Sequence, residues 1–317
     1  MRTSTTDINY MPAIRAERLT RRFRSTLAVD SLSFDVKPGA ICGVVGPNGA
    51  GKSTTFRMIC GLLRPSSGRV SILGRDVAKD AGAVPALAGL LPETPHFYPY
   101  LNGEQNLRVL AHASNLRRPN ARVATLLKIA GLSDAASRAV SSYSAGMKQR
   151  LALAAALLTD PPVLILDEPT AGLDPTGALE LRALIRALTA EGRTVLMATQ
   201  ALDEAERMCT QLIVLSNGQL RANVQVAELL APSSIRIRAS PVEGALAVLR
   251  SLPGVRAVGI DTDTIEVEPA EIPTAALVRA LVLGGVEVSE VLAHRETLEQ
   301  HFLNLTGSSA APSTVGR

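Results

Sequence analysis

Apolar residues fall in two kinds of run along this chain. The short, unbroken ones, "ICGVV" (41–45), "VLILD" (163–167) and "TVLMA" (194–198), have strand length and no polar alternation. That pattern predicts strands buried on both faces of a parallel sheet. Longer stretches with helical spacing lie between them, at roughly 104–113, 119–130, 144–158, 176–190 and 201–208. A Gly-rich turn follows "ICGVV" and leads into a helix over residues 52–60, with Gly61 placed to cap its C-terminus. "LIVLSNGQLRA" (212–222) reads as a hairpin turning at Asn217-Gly218. Strands alternating with helices from residue 13 to about 224 predict one α/β domain.

The pattern changes after that. "SIRIRAS" (234–240) and "TIEVEPA" (264–270) alternate apolar and polar residues, about 30 apart. Each is followed by a helical run, 245–252 and 275–283, and then by another strand, through "LPGVRAVGI" and "LGGVEVSEV". This βαβ pseudo-repeat predicts a small α+β, ferredoxin-like module over 225–307. Arg236 and Arg238 share one strand face and Glu266 and Glu268 another, which predicts cross-strand charge pairs between them. Residues 1–12 read as a loose leader and 308–317 as a disordered tail.

Composition narrows the function classes. The 317 residues are 46% hydrophobic and 20% charged, an ordinary globular balance. Aromatics make up 3% and Trp is absent, which argues against base-stacking platforms for nucleic acid. The net charge of +4 comes without a Lys/Arg run. Cys42, Cys60 and Cys209 have no CxxC spacing and read as reduced core thiols. The N-terminus has no apolar signal-like core, and "LALAAALL" (151–158) is far shorter than the ~20 residues of a membrane span. The chain is therefore expected in the cytoplasm.

"GPNGAGKST" (46–54) fits G-x-x-x-x-G-K-[ST] between a buried strand and a helix, where a phosphate-binding loop must sit. Gly46, Pro47, Asn48, Gly49, Ala50 and Gly51 form the loop, whose glycines allow N–H groups to point at phosphate oxygens. The helix start adds a field favourable to an anion. Lys52 is expected to reach the β/γ-phosphates, Ser53 to ligate Mg²⁺, and Thr54 to contact the α-phosphate. "VLILDEP" delivers Asp167 to the end of a strand beside that loop, to hold the Mg²⁺ shell. Glu168 follows, to orient and deprotonate the attacking water.

With "YSAGMKQR" (143–150) between them, these motifs resemble the ATP-binding cassette (ABC) family of transporter ATPases, in full motif order over residues 13–224. The resemblance implies a P-loop α/β ATPase domain with a helical signature subdomain and a β-rich arm. It implies that Ser144, Ala145 and Gly146 face the γ-phosphate of ATP held by the other protomer, with Ala145 standing where the family commonly has Gly. Phe23, 23 residues before Gly46, takes the place of the aromatic that stacks on adenine. Asp174, in "AGLDP" (171–175), takes that of the acidic residue in the loop crossing the dimer interface. "LPETPHFYPYLNGEQNL" (91–107) is similar to the segment that meets the membrane partner. Glu93 stands there for the usual Gln, as on the drug-efflux and export branch, and can approach Mg²⁺ or the lytic water. "HFYPYL" (96–101) holds two of the four Tyr and one of the five Phe, an aromatic docking patch if exposed and loop packing if not.

One residue departs from the pattern. The family places a histidine against the γ-phosphate where this chain has Gln200, in "MATQALDEAE" (197–206). An amide donates a hydrogen bond but cannot become a cation. This implies either simple substitution with modest slowing or a marked loss at this site. The implied role is the ATP-binding and ATP-hydrolysing subunit of an exporter, with ATP and Mg²⁺ as cofactors. Its partners would be separate transmembrane permease subunits and a second ABC ATPase, identical or not, at the inner face of the membrane, with no nucleic acid. Two alternatives stay open: a regulatory ABC module with weak hydrolysis, and a soluble ABC ATPase acting on nucleic acid or ribosomes.

Overall fold

The computed structural model describes residues 11–229, 234–253, 255–261, 264–268, 272–294, 297–298 and 300–301. The leader up to residue 10, the tail at 308–317 and most of the run 295–307 lie outside the described residues. The chain divides into two compact units, Met1–Val226 and Ala227–Arg317.

The described residues of the first unit form the strands β1 (Ile14–Phe23), β2 (Thr26–Val36), β3 (Ile41–Val45), β4 (Ser67–Ile72), β5 (Arg75–Asp76), β6 (Ala88–Leu91), β7 (Val163–Asp167), β8 (Thr194–Thr199), β9 (Gln211–Ser216) and β10 (Gln219–Gln225). Its helices are α1 (Lys52–Ile59), α2 (Val84–Leu87), α3 (Gly103–Ala113), α4 (Pro119–Ile129), α5 (Ala145–Ala156), α6 (Pro175–Ala190) and α7 (Leu202–Met208), and α8 (Val226–Leu229) spans the division between the units. The helices expected in this unit are all present, each within about two residues of its observed ends.

The six-stranded sheet runs β10-β9-β3-β8-β7-β6, parallel from β9 to β6. Every residue of β3, β7, β8 and β9 is buried. This is what unbroken apolar runs require when both faces are covered. Edge strand β10 alternates with solvent and closes the hairpin at Asn217 and Gly218, both at positive φ (52° and 74°). A four-stranded antiparallel sheet, β2-β1-β4-β5, makes the β-rich arm. Helix α1 places Phe56, Met58 and Ile59 in a core to which both sheets contribute. Gly61, at φ 70°, ends that helix by donating to the Met58 carbonyl. Helices α3, α4 and α5 pack on one another, with Leu107, Leu126 and Leu151 fully buried. The three cysteines are free, and burial pushes the thiols of Cys60 and Cys209 up to about 12, as inert core groups.

The second unit runs β11 (Ser234–Ser240), α9 (Val242–Ser251), β12 (Arg256–Asp261), β13 (Thr264–Glu268), α10 (Thr274–Leu283) and β14 (Glu287–His294), in sheet order β12-β13-β11-β14. This is the β-α-β-β-α-β arrangement of a ferredoxin-like module. Ile237, Leu249, Ile265 and Leu281 sit in its own core. One expected charge pair is present, Arg236 with Glu266 at 3.7 Å. The other is not: the antiparallel register sets Thr264 opposite Arg238, which pairs instead with Glu290 on β14 at 3.0 Å.

Candidate active site

Register decides where the chemistry collects. Val45 pairs with Thr199, Asp167 with Ala198, and Leu91 with Leu166. The ends of β3, β8, β7 and β6 therefore lie at one edge of the sheet, the edge where open α/β sheets bind ligands. Each end continues into a candidate group: Gly46, Gln200, Asp167-Glu168 and Glu93.

The loop between β3 and α1 keeps its shape through two tight approaches. A Cβ on Gly46 would come 2.3 Å from the Leu215 carbonyl oxygen, so that glycine is demanded by space rather than by its φ. Gly51 needs both, with φ 97° and a Cβ position 2.6 Å from the Ala28 carbonyl. The β9–β10 turn braces the loop from outside: the Gly218 N–H donates to the Ala50 carbonyl (3.2 Å), and the Gly218 carbonyl accepts from Asp30 N–H (2.8 Å). That brace was not readable as a functional contact, because residues 50 and 218 are far apart in the chain.

Among the described residues no side chain caps the N-terminus of α1, which leaves the dipole end open toward the pocket. Phe23, Ala28, Asn48, Gly49, Ala50, Gly51, Lys52, Ser53, Thr54, Glu93, Asp167, Glu168 and Gln200 line this cavity of about 320 Å³. The buried Lys52 Nζ donates to its own loop, to the carbonyls of Gly46 (2.7 Å) and Pro47 (3.2 Å). Burial pushes the Lys52 ammonium below the usual lysine range, and Glu168, Asp167 and Glu93 pull it part of the way back.

The two strand-end carboxylates are the costliest groups in the cavity. Asp167 Oδ1 and Glu168 Oε1 are buried with no hydrogen-bond partner among the described residues. Burial raises the pKa of both. The Ser53 hydroxyl offsets part of this at Asp167, and the side-chain amide and N–H of Gln200 do so at Glu168. Glu168 also takes a left-handed backbone conformation, φ 49°, with its N–H held by the Ala198 carbonyl at 3.0 Å. Buried oxygens without donors and an opposed lysine fit a ligand of phosphate and divalent metal. The cradle of N–H groups and the Ser53 hydroxyl fit the same pair.

The remaining candidates lie elsewhere. Ser144 caps α5, its Oγ accepting from Met147 N–H at 3.2 Å, and Asp174 caps α6, its Oδ1 accepting from Gly177 N–H at 3.2 Å. Both side chains are exposed, and neither Ser144, Ala145, Gly146 nor Asp174 lines the phosphate pocket of its own chain. The 96–101 loop is pinned by buried Asn106, which accepts from Tyr98 N–H (2.8 Å) and donates to the Tyr98 and Asn102 carbonyls (3.0 Å each). It presents Tyr98 and Tyr100, exposed by 49% and 74% with ring centroids 5.9 Å apart.

A protein-family model described as ABC transporter matches residues 29–171. A daunorubicin resistance ATP-binding protein of Streptomyces coeruleorubidus is 38% identical, covering 93% of this chain and 96% of its own length. The chain belongs to the ABC transporter family. A further relative of this ABC ATP-binding protein, the Nod factor export ATP-binding protein I of Burkholderia pseudomallei, is 40% identical over 64% of the chain and 67% of its own length. Among solved structures, one described as the ATP binding subunit of an ABC transporter aligns with TM-score 0.62 and 32% identity, over 68% of this chain and 91% of that one. The fold is thus that of the ABC ATPases, a family that binds and hydrolyses ATP, and the pocket at the sheet edge is the candidate ATP site. Among the described residues no helix is long and apolar enough to cross a membrane.

Proposed function

We propose that this ABC ATPase is the energy-supplying subunit of an exporter, acting as a pair of chains on separate transmembrane subunits at the inner membrane face. The observation that carries the reading is the pocket where Lys52, Ser53, Asp167, Glu168 and Gln200 meet around two buried carboxylate oxygens without donors. The names of the relatives, daunorubicin resistance and Nod factor export, support the export direction. The nucleotide-binding part is assigned to 13–224 and the smaller module to 225–307.

Within that pocket Lys52 gives up its loop carbonyls for the β/γ-phosphates, while Gly49, Ala50 and Gly51 turn N–H groups to the phosphate oxygens. Thr54 holds the α-phosphate and Phe23 stacks on the base. Ser53 and Asp167 would hold a Mg²⁺ ion, with Glu93 near its shell, and the ion would supply positive charge against the phosphates. Glu168 orients and deprotonates the attacking water, a task suited to a carboxylate whose pKa burial has raised. Gln200 fixes Glu168 and donates toward the γ-phosphate.

Ser144, Ala145, Gly146 and Asp174 act on the nucleotide of a second copy, because they line no pocket with the phosphate loop of their own chain. The exposed aromatics at 98 and 100 and the 91–107 segment meet the transmembrane partner. Purified protein is expected to bind ATP, and Glu168→Gln to accumulate an ATP-bound dimer by light scattering. Lys52→Ala is expected to weaken ATP binding by two orders of magnitude or more, since one buried charge-assisted donor is lost. Unchanged binding and turnover in Lys52→Ala would overturn the reading.

A further inference from the structure

The phosphate end of the pocket accounts for nearly all of its charged groups, but one cation close to it lines no part of it. Arg21 and Phe23 stand two residues apart on β1 and so project to the same face of the strand. Pairing of β1 with β2 is irregular on both sides of Arg21, between Leu19 and Arg21 and between Arg21 and Arg22. The extra residue at each shift lies on β2, so β1 keeps its alternation and Arg21 stays on the face of Phe23. The Arg21 guanidinium carbon lies 4.6 Å from the centroid of the Phe23 ring, within cation–π range. One guanidinium nitrogen, Nη1, donates to the Arg64 carbonyl at 2.7 Å, just beyond the C-terminus of α1. Another, Nε, is buried with no hydrogen-bond partner among the described residues.

Phe23 itself is 42% exposed and lines the cavity; Arg21 does not line it. One ring face is thus taken by the cation, and stacking of a base has to use the other. We propose that Arg21 is the positioning residue of the purine site: it clamps the Phe23 ring between the arm and the end of α1, so that the base completes a three-layer stack of guanidinium, ring and purine. This rests on the ATP-site reading above. Arg21 touches no phosphate and acts only through Phe23. Its removal should therefore cost base recognition and spare phosphate recognition.

The test compares dissociation constants of ATP and of inorganic tripolyphosphate, which has the phosphates and no base, on the full chain by calorimetry. Arg21→Ala is expected to weaken ATP by about three- to tenfold, the size of a partly exposed cation–π contact plus some loss of stacking, and to leave tripolyphosphate within twofold. Arg21→Lys, which keeps a cation over the ring, should recover part of the loss. In a Phe23→Ala background the Arg21 substitution should have no further effect on ATP. Arg21→Met, which keeps the apolar stem, replaces Arg21→Ala if that variant does not fold. Equal weakening of both ligands, an unchanged ATP constant, or an Arg21 effect that persists without Phe23 overturns the proposal. Those outcomes are distinct from failure of the site itself, in which neither ligand binds the unmodified protein or Lys52→Ala binds both as well as it does.

Discussion

The phosphate pocket and the paired helix starts at Ser144 and Asp174 solve opposite problems. In the pocket, polar groups are buried before their ligand arrives: among the described residues Asp167 Oδ1 and Glu168 Oε1 have no donor, and Lys52 is turned onto its own loop. At the helix starts the polar groups are exposed and already satisfied, each accepting a hydrogen bond from its own first turn. One region is incomplete alone and destabilised by that; the other is complete alone and has nothing of its own chain to act on. The proposed division of the site between two copies would produce this asymmetry, because the half that takes the nucleotide would store the unmet charge.

The sharpest way to break the comparison is to damage the two halves in different molecules. Lys52→Ala and Ser144→Ala are each expected to be nearly inactive, with turnover down by about 10²-fold or more, since each loses a donor at the developing charge. In a head-to-tail pair with one copy of each, both defects fall in one site and the other site is intact. Mixing the two proteins should therefore restore up to about a quarter of the unmodified rate, half of the pairs with half of their sites working. Steady-state phosphate release measures it. No recovery on mixing would mean that Ser144 acts within its own chain, or that a single intact site cannot turn over, which a covalently linked pair distinguishes. The loss of the helix cap in Ser144→Ala costs only about 1 kcal/mol, so its melting temperature should fall slightly and its ATP affinity hardly at all.

The stored charge itself predicts a stability effect. Burial raises the pKa of Glu168 in the folded chain, so folding favours the protonated form. Stability is then fully present below the ordinary carboxylate range and is lost as pH rises through the raised folded value. Glu168→Gln removes the penalty. Without nucleotide, this variant should melt above the unmodified protein at pH 7, by about 1–3 kcal/mol or a few degrees. The gap should close as pH falls toward about 4, where the unmodified carboxyl is protonated as well. A variant that is less stable than the unmodified protein at pH 7, or a gap that does not change with pH, would show that the Gln200 hydrogen bonds to Glu168 outweigh its burial.

The pocket and the β-rich arm also differ in how much of them the sequence carried. The pocket was legible because its parts are local: "ICGVV" with its loop, and "VLILDEP", each combine a buried strand with the turn that follows it, and parallel register does the rest. The Asn217-Gly218 turn was equally local, though its bracing of Ala50 was not. The arm was much less legible. Strands β1 and β2 are 10 and 11 residues long, with register shifts that blur the alternation a strand should show. Strand β1 also pairs with β4, more than 40 residues away. The Arg21–Phe23 stack was not legible either, because an i, i+2 pair on a strand signals a shared face but not a ring contact. In the smaller unit the alternating strands were clear, but the partner of Arg238 was set by which strand became its second neighbour, and β14 supplied Glu290.

The smallest expected effect concerns Gln200, where the resemblance implies a histidine. An imidazolium at position 200 would add charge to a donor that already exists. In this chain Gln200 lines the pocket and favours the Glu168 carboxylate through both its side-chain amide and its backbone N–H. It follows directly from β8, and Arg182 of α6 secures the next helix by its ion pair with buried Glu204 at 2.9 Å. Position and hydrogen bonding are therefore in place, and only the cation is missing. Gln200→His should raise the turnover of the assembled transporter by less than about tenfold, against the 10²–10³ that loss of a transition-state donor typically costs. Gln200→Ala, which removes the donor altogether, should fall by more than Gln200→His gains. A gain of a hundredfold or more with histidine would reverse this order and favour a regulatory module, with ATP binding rather than hydrolysis as its working event.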